Sequence, residues 1–143
     1  MRMAYRIDEG SLTSPTPWQD QSINVLMPRD AKVQGTSLVI ARDRLALGLT
    51  FQDYVIQQRQ NFAAQLAGFE LIADTAGQID GREAHFLEIA WRSDGKPIQQ
   101  VVAMVLHRED AILNFTGSIP GGPDAESRNA LVAAITSFTF ATA

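Results

Sequence analysis

Two Asp-Gly pairs, Asp80-Gly81 and Asp94-Gly95, do most to limit what this chain can fold into. Two-residue hairpin loops need positive φ at their central positions, which Gly takes without strain and Asp tolerates. The first pair opens a stretch from Ile79 to Ser118, the second divides its first two strands, and Glu109-Asp110 supplies a weaker third turn. The stretch therefore predicts three consecutive antiparallel strands. A turn at Asp94-Gly95 sets Trp91 opposite Ile98, Ile89 opposite Gln100 and Leu87 opposite Val102, all on one face. A two-residue turn at Glu109-Asp110 adds Met104, Leu106, Leu113 and Phe115 to that face, which reads as core. The other face carries Phe86, Glu88, Gln99, Val101, Ala103, Ile112, Asn114 and Thr116. It is more mixed, yet too apolar for an ordinary wet surface, and it is where function is expected.

At 143 residues the chain predicts one domain over 1–143, long enough to bury a real core. Its 12 Lys plus Arg are outnumbered by 16 Asp plus Glu, a net charge of −4, and the two signs are interspersed. That argues against a nucleic-acid partner, which would call for a basic stripe. Without cysteine there is no disulfide scaffold, thiolate metal site or cysteine nucleophile. Met1 to Gly10 lacks the apolar stretch of a secretory signal, and no run approaches the roughly 20 apolar residues of a membrane span. The expectation is a cytoplasmic protein with no stable membrane insertion.

Before the meander, Tyr5 to Leu12 predicts a first strand, and Thr13 to Pro17, with two prolines, a loop. Gln21 to Met27 reads as a second strand with Ile23, Val25 and Met27 on one face, and Pro28 ends it. A polar connection over 29–35 leads to a third strand, Ser37 to Asp43, with Val39 and Ala41 sharing a face. No helix separates these strands, so the sheet should be antiparallel. Thr50 with Asp53 forms a capping box before the apolar series Phe51, Val55, Phe62 and Leu66, and Gly68 stops the helix. Phe69 to Thr75 reads as a further strand. After the Pro120–Pro123 loop, Asp124 to Thr136 predicts a second helix with Leu131, Val132 and Ile135 inward, followed by Phe138 and Phe140 as a strand or docked tail. The fold class is α+β: a twisted antiparallel sheet with both helices packed on one face.

Catalytic chemistry finds little support. His85 and His107 are the only histidines, and the register puts them on opposite faces of the sheet, which disfavours a shared metal. Ser93, Ser118 and Ser127 fall at turns or caps, where serine serves the backbone. Neither a phosphate loop nor a dinucleotide fingerprint is present. The expectation is a protein without catalytic residues, metal or cofactor. Amides are more informative: Gln58 interrupts the apolar stripe of the first helix, and Gln99-Gln100 begin a strand otherwise made of Val, Ala, Met and Leu. Such groups either bond nearby backbone or offer donors and acceptors to a bound segment.

The segments Tyr5-Arg6-Ile7-Asp8-Glu9-Gly10-Ser11-Leu12, Trp18-Gln19-Asp20-Gln21-Ser22-Ile23-Asn24-Val25-Leu26 and Leu49-Thr50-Phe51-Gln52-Asp53-Tyr54 resemble the Eag chaperones of bacterial type VI secretion, members of the DcrB-like group with a PsbP-like fold. The resemblance spans essentially the whole chain and includes no catalytic signature. It implies a cytoplasmic adaptor, not an enzyme, that holds the N-terminal transmembrane helices of a secreted effector in solution before loading on the secretion spike. It carries over Ile23, Val25, Val39, Gln58, Leu66 and Gln100 as groove residues. The mixed face adds Gln99, Val101 and Ala103, although the register sets Gln99 and Gln100 on opposite faces. The area of a membrane-spanning helix against that of one small subunit, together with the resemblance, implies a homodimer. The alternative is a pocket protein that takes a small apolar ligand or lipid between sheet and helix.

Overall fold

A computed structural model describes residues 3–29, 36–122 and 124–142. Strands β1 (Met3–Ile7) and β2 (Gly10–Ser14) form a separate two-stranded hairpin. The main sheet contains β3 (Asn24–Leu26), β4 (Ser37–Arg44), β5 (Glu70–Ile79), β6 (Arg82–Ser93), β7 (Lys96–Arg108) and β8 (Ala111–Pro120). Its order is β3-β4-β8-β7-β6-β5, with every pair antiparallel. Helix α1 (Phe51–Gln65) lies between β4 and β5 in sequence, and α2 (Ala125–Thr136) follows β8. The expected α+β class and antiparallel sheet are present. The single N-terminal strand is instead a hairpin that turns at Asp8-Glu9, and only three residues of the expected second strand are paired, as β3. Most of the 29–35 connection lies outside the described residues, as does Pro123.

Local chemistry accounts for the element ends. Asp80 and Gly81 have φ of 50° and 76°, and Asp94 and Gly95 have 52° and 77°, the pair of positive values a type I′ turn requires. Thr50 accepts from the Asp53 amide while the Asp53 carboxylate accepts from the Thr50 amide, so the capping box at α1 is closed on both sides. Gly68, at φ 65°, stands just past the end of this helix. At α2, Asp124 accepts from the amides of Glu126 and Ser127. Those bonds hold its carboxyl below its ordinary pKa, the Ser127 side chain contributing most.

The two helices lie on opposite faces of the sheet, not on one. Because α1 joins β4 to β5 at the far edge, it must cross over β8, β7 and β6. It covers Leu87, Ile89, Val102, Met104 and Ile112 with Phe51, Tyr54 and Val55. Helix α2 starts from β8 inside the sheet and finds that face already occupied. It folds back on the other side, over Val101, Ala103, Val105, Leu113 and Phe115. Gly117 lets it close: a Cβ there would lie 2.8 Å from a methyl carbon of Leu131. Arg128 on α2 pairs with Glu88 of β6. The tail docks as well, since the Phe140 amide donates to Asp80 and the Arg82 guanidinium sits 3.9 Å from the Phe140 ring centroid.

The strand register departs from expectation at one turn. The β6–β7 pairing is as expected, with Trp91 opposite Ile98, Ile89 opposite Gln100 and Leu87 opposite Val102. At the next turn the pairing slips between Leu106 and Arg108, so Leu106 faces Ile112 and Met104 faces Asn114. His107 is the extra residue of a bulge, and one extra residue exchanges the faces of everything beyond it. Leu113 and Phe115 thus lie under α2, while Ile112, Asn114 and Thr116 share the face of Met104 and Val102.

Candidate functional site

The α1 face of the sheet is covered unevenly. Towards β5 and β6 the helix is tied down, with Gln52 donating to Glu83 at 3.1 Å and Arg59 paired to Asp74, which also bonds His85. Burial alone would raise the Asp74 pKa, but the bonds from His85 and Arg59 outweigh it and hold the carboxyl below its ordinary value. On the other flank Tyr54 reaches β4 and β8, donating to Asp43 at 2.8 Å and accepting from the Asn114 amide at 2.9 Å. Burial pushes the Tyr54 phenol well above its ordinary pKa, so it stays a neutral donor.

Beyond Tyr54 the helix leaves a strip of this face open. Register places Val25 opposite Val39, Val39 opposite Thr116 and Thr116 opposite Val102. It likewise places Ser37 opposite Ser118 and Ser118 opposite Gln100. Val102 is buried under α1, whereas Val39, Thr116, Ser118 and Gln100 are only half-buried. Gln58, four residues after Tyr54 and half-buried, stands on the helix flank above the strip. At the sheet edge the segment of β3 is bare: Ile23, Val25, Leu26 and Met27 are 62%, 59%, 55% and 65% exposed. A water-facing run of four large apolar side chains is the departure from ordinary surface that calls for a partner.

The structure therefore brings Val25, Val39 and Gln100 onto one sheet face with Gln58 above them, and Ile23, two residues before Val25, continues the edge. Leu66 caps α1 and packs partly into its core. Gln99, Val101 and Ala103 are elsewhere. They point to the opposite face and are 8%, 3% and 0% exposed, Val101 and Ala103 within the core that α2 covers, so the expectation that they line an open surface is corrected. The mixed face looked available because the sequence does not say that α2 covers it.

Gln100 itself is held: Trp91 Nε1 donates to its Oε1 at 2.8 Å, and its Nε2 donates to Ser118 Oγ at 2.9 Å. Sequence reasoning treated Ser118 as a turn residue and Thr116 as part of the mixed face. The alternation Asn114, Thr116, Ser118 along one strand was the signal that could have drawn them into the site. There is little room for a small ligand between α1 and the sheet, since Val55, Leu87, Ile89, Val102 and Met104 pack there with 3% exposure or less. No helix among the described residues is long and apolar enough to cross a membrane.

Comparison with known proteins agrees with this architecture. The sequence model of the DcrB family matches residues 9–137. Effector EagT6 of Pseudomonas aeruginosa is 34% identical over 113 residues, covering 78% of each chain. Among solved structures, a Pseudomonas aeruginosa protein of unknown function, described as a putative regulator, superposes with a TM-score of 0.81 at 29% identity and 99% coverage of both chains. LpqN of Mycobacterium tuberculosis, involved in cell envelope biogenesis, gives 0.59 at 13% identity over 96% of this chain and 88% of its own. Cyanobacterial PsbP from Synechocystis gives 0.50 at 16% over 95% and 87%, and at such identities the likeness is one of fold. The capping box, the amide-bearing helix and the antiparallel sheet thus belong to an Eag-type member of the DcrB family with a PsbP-like fold.

Proposed function

We propose that the chain is a cytoplasmic adaptor chaperone of type VI secretion, which shields the N-terminal transmembrane helices of an effector until they are loaded on the secretion spike. The observation that carries this reading is the exposed apolar edge Ile23–Met27, continuous through Val25 and Val39 with a half-buried floor that α1 leaves open. An apolar helix laid there would remove both its own surface and that edge from water, at about 25 cal/mol for each Å² of apolar area. The 34% identity to Effector EagT6 supports an effector-associated role. The reading assigns the chain no catalytic step.

The working unit in this reading is a homodimer. A membrane-spanning helix about 30 Å long and 10 Å across presents on the order of 1,000 Å² along one flank. A single binding face of a small protein covers about 800 Å². Two copies around one shared space would cover both flanks. The hairpin also favours a second copy, because β1–β2 forms a sheet of its own with Ile7 52% and Leu12 45% exposed, and isolated hairpins are marginal in water.

Co-expression with the apolar N-terminal segment of a candidate effector tests the reading. The segment should stay soluble and co-purify with the wild-type chain, and Val25→Asp should release it. Insolubility of the segment with both proteins would overturn the adaptor role. Sedimentation of the cargo-free chain tests the dimer separately, and a monomer at tens of micromolar that still holds cargo would overturn it.

A further inference from the structure

Asn114, Thr116 and Ser118 make a polar row along β8, on a sheet face whose neighbouring strands contribute Val39, Val102 and Met104. We infer that this row reads a neutral polar side chain, an amide or hydroxyl, carried by an otherwise apolar cargo helix. The inference rests on the adaptor reading above and names what the adaptor would select.

The row is incompletely bonded within the chain. Its side-chain bonds among the described residues are Asn114 Nδ2 to the Tyr54 phenol at 2.9 Å and Gln100 Nε2 to Ser118 Oγ at 2.9 Å. That leaves the Thr116 hydroxyl with no partner there, and the Ser118 hydroxyl with its own proton still to donate. Asn114 Oδ1 is buried and accepts nothing. Asn114 is closed off beneath Tyr54, so what the row offers at the open strip is the Thr116 hydroxyl, which can donate and accept, and the Ser118 hydroxyl as a donor. The row contains no charged group, and the nearby Asp43 is already taken by Tyr54 and the Arg44 amide. At the rise of an extended chain the Thr116 and Ser118 hydroxyls stand about 7 Å apart, a little over one turn of a docked helix.

A purely structural floor would not need these groups, because valine at 116 would fill the same volume beside Val39 and Val102. Unmet hydrogen-bonding capacity next to an apolar edge suits a guest that brings a polar group of its own. Such a group is costly to leave unpaired in an apolar setting, so a groove that pairs it is selective for it.

Two synthetic peptides of about 20 leucine and alanine residues with terminal lysines, one wholly apolar and one with a central asparagine, test this by fluorescence anisotropy. The wild-type chain should bind the asparagine peptide roughly tenfold more tightly than the apolar one. The Thr116→Val/Ser118→Ala double variant should lose that preference, and Thr116→Ser should keep it. Thr116→Val alone, which conserves volume, should lose part of the preference and decides the matter if the double variant does not fold. Equal binding of both peptides by the wild type, or a preference that survives removal of the hydroxyls, overturns the inference and leaves the adaptor reading standing. Failure of the wild type to bind either peptide overturns both.

Discussion

The indole of Trp91 donates to the side-chain oxygen of Gln100 at 2.8 Å, across the β6–β7 pair. Because the Gln100 amide also donates to Ser118, it is a structural strut at the rim of the open strip before it is anything else. Gln58 has no such bond among the described residues, although it lies above the same strip. The two amides should therefore answer differently to mutation. Gln100→Ala should cost about 1 kcal/mol of stability through the lost bonds, with a change in tryptophan fluorescence. Gln58→Ala should leave the denaturation midpoint in place and weaken cargo binding by about 1 kcal/mol. Equal effects on stability would contradict this division.

Charge insertion should separate the two faces of the sheet. Val25 is 59% exposed, so Val25→Asp should barely move the melting temperature while abolishing capture of an apolar segment. Val101 is 3% exposed beneath α2, and Val101→Asp should cost about 3 kcal/mol or more, because the new carboxylate has no partner there. Thermal melts alongside a pull-down would show whether the effects part in this way.

Gly117 should tolerate no side chain. A Cβ would stand 2.8 Å and 2.9 Å from the two methyl carbons of Leu131. Gly117→Ala should destabilise by about 1 to 3 kcal/mol in urea unfolding, as overpacking does. Combined with Leu131→Ala, the loss should be smaller than the sum of the two single changes, since they share one contact. A simple sum of the two effects would show that the contact is not what Gly117 protects.

Acid should loosen α1 through Asp74. Its carboxyl is held below its ordinary value of 3.8 because bonds from His85 and Arg59 outweigh the opposing effect of burial. A group with a lowered native pKa stabilises above its unfolded pKa, and that contribution disappears as pH falls through the native one. Wild-type stability should therefore drop more steeply below pH 4, roughly the unfolded pKa, than that of Asp74→Asn, which has no charge to lose there. Parallel acid profiles would show that the Arg59–Asp74–His85 cluster does not anchor the helix.

What the sequence determined by itself is what depends on neighbours in the chain. Asp80-Gly81 and Asp94-Gly95 turn because their own backbones accept positive φ, and the Thr50–Asp53 box starts α1 with bonds spanning three residues. The β6–β7 register follows from the second of those turns, and the Eag-type pattern from segments quoted residue by residue. Tertiary structure decided which face each residue serves. Strand β7 is apolar on both sides, so alternation could not say that Val102 and Met104 would meet α1 while Val101 and Ala103 would meet α2. The bulge at His107 moved Leu113 and Phe115 across the sheet, and no pairing rule local to Glu109-Asp110 required it. Of the residues expected to line one groove, Val25, Val39 and Gln100 share a sheet face, whereas Gln99, Val101 and Ala103 are buried on the other. A helix crossing from β4 to the far edge fills one face and sends the next helix to the other, a constraint that exists only once the strands have taken their order.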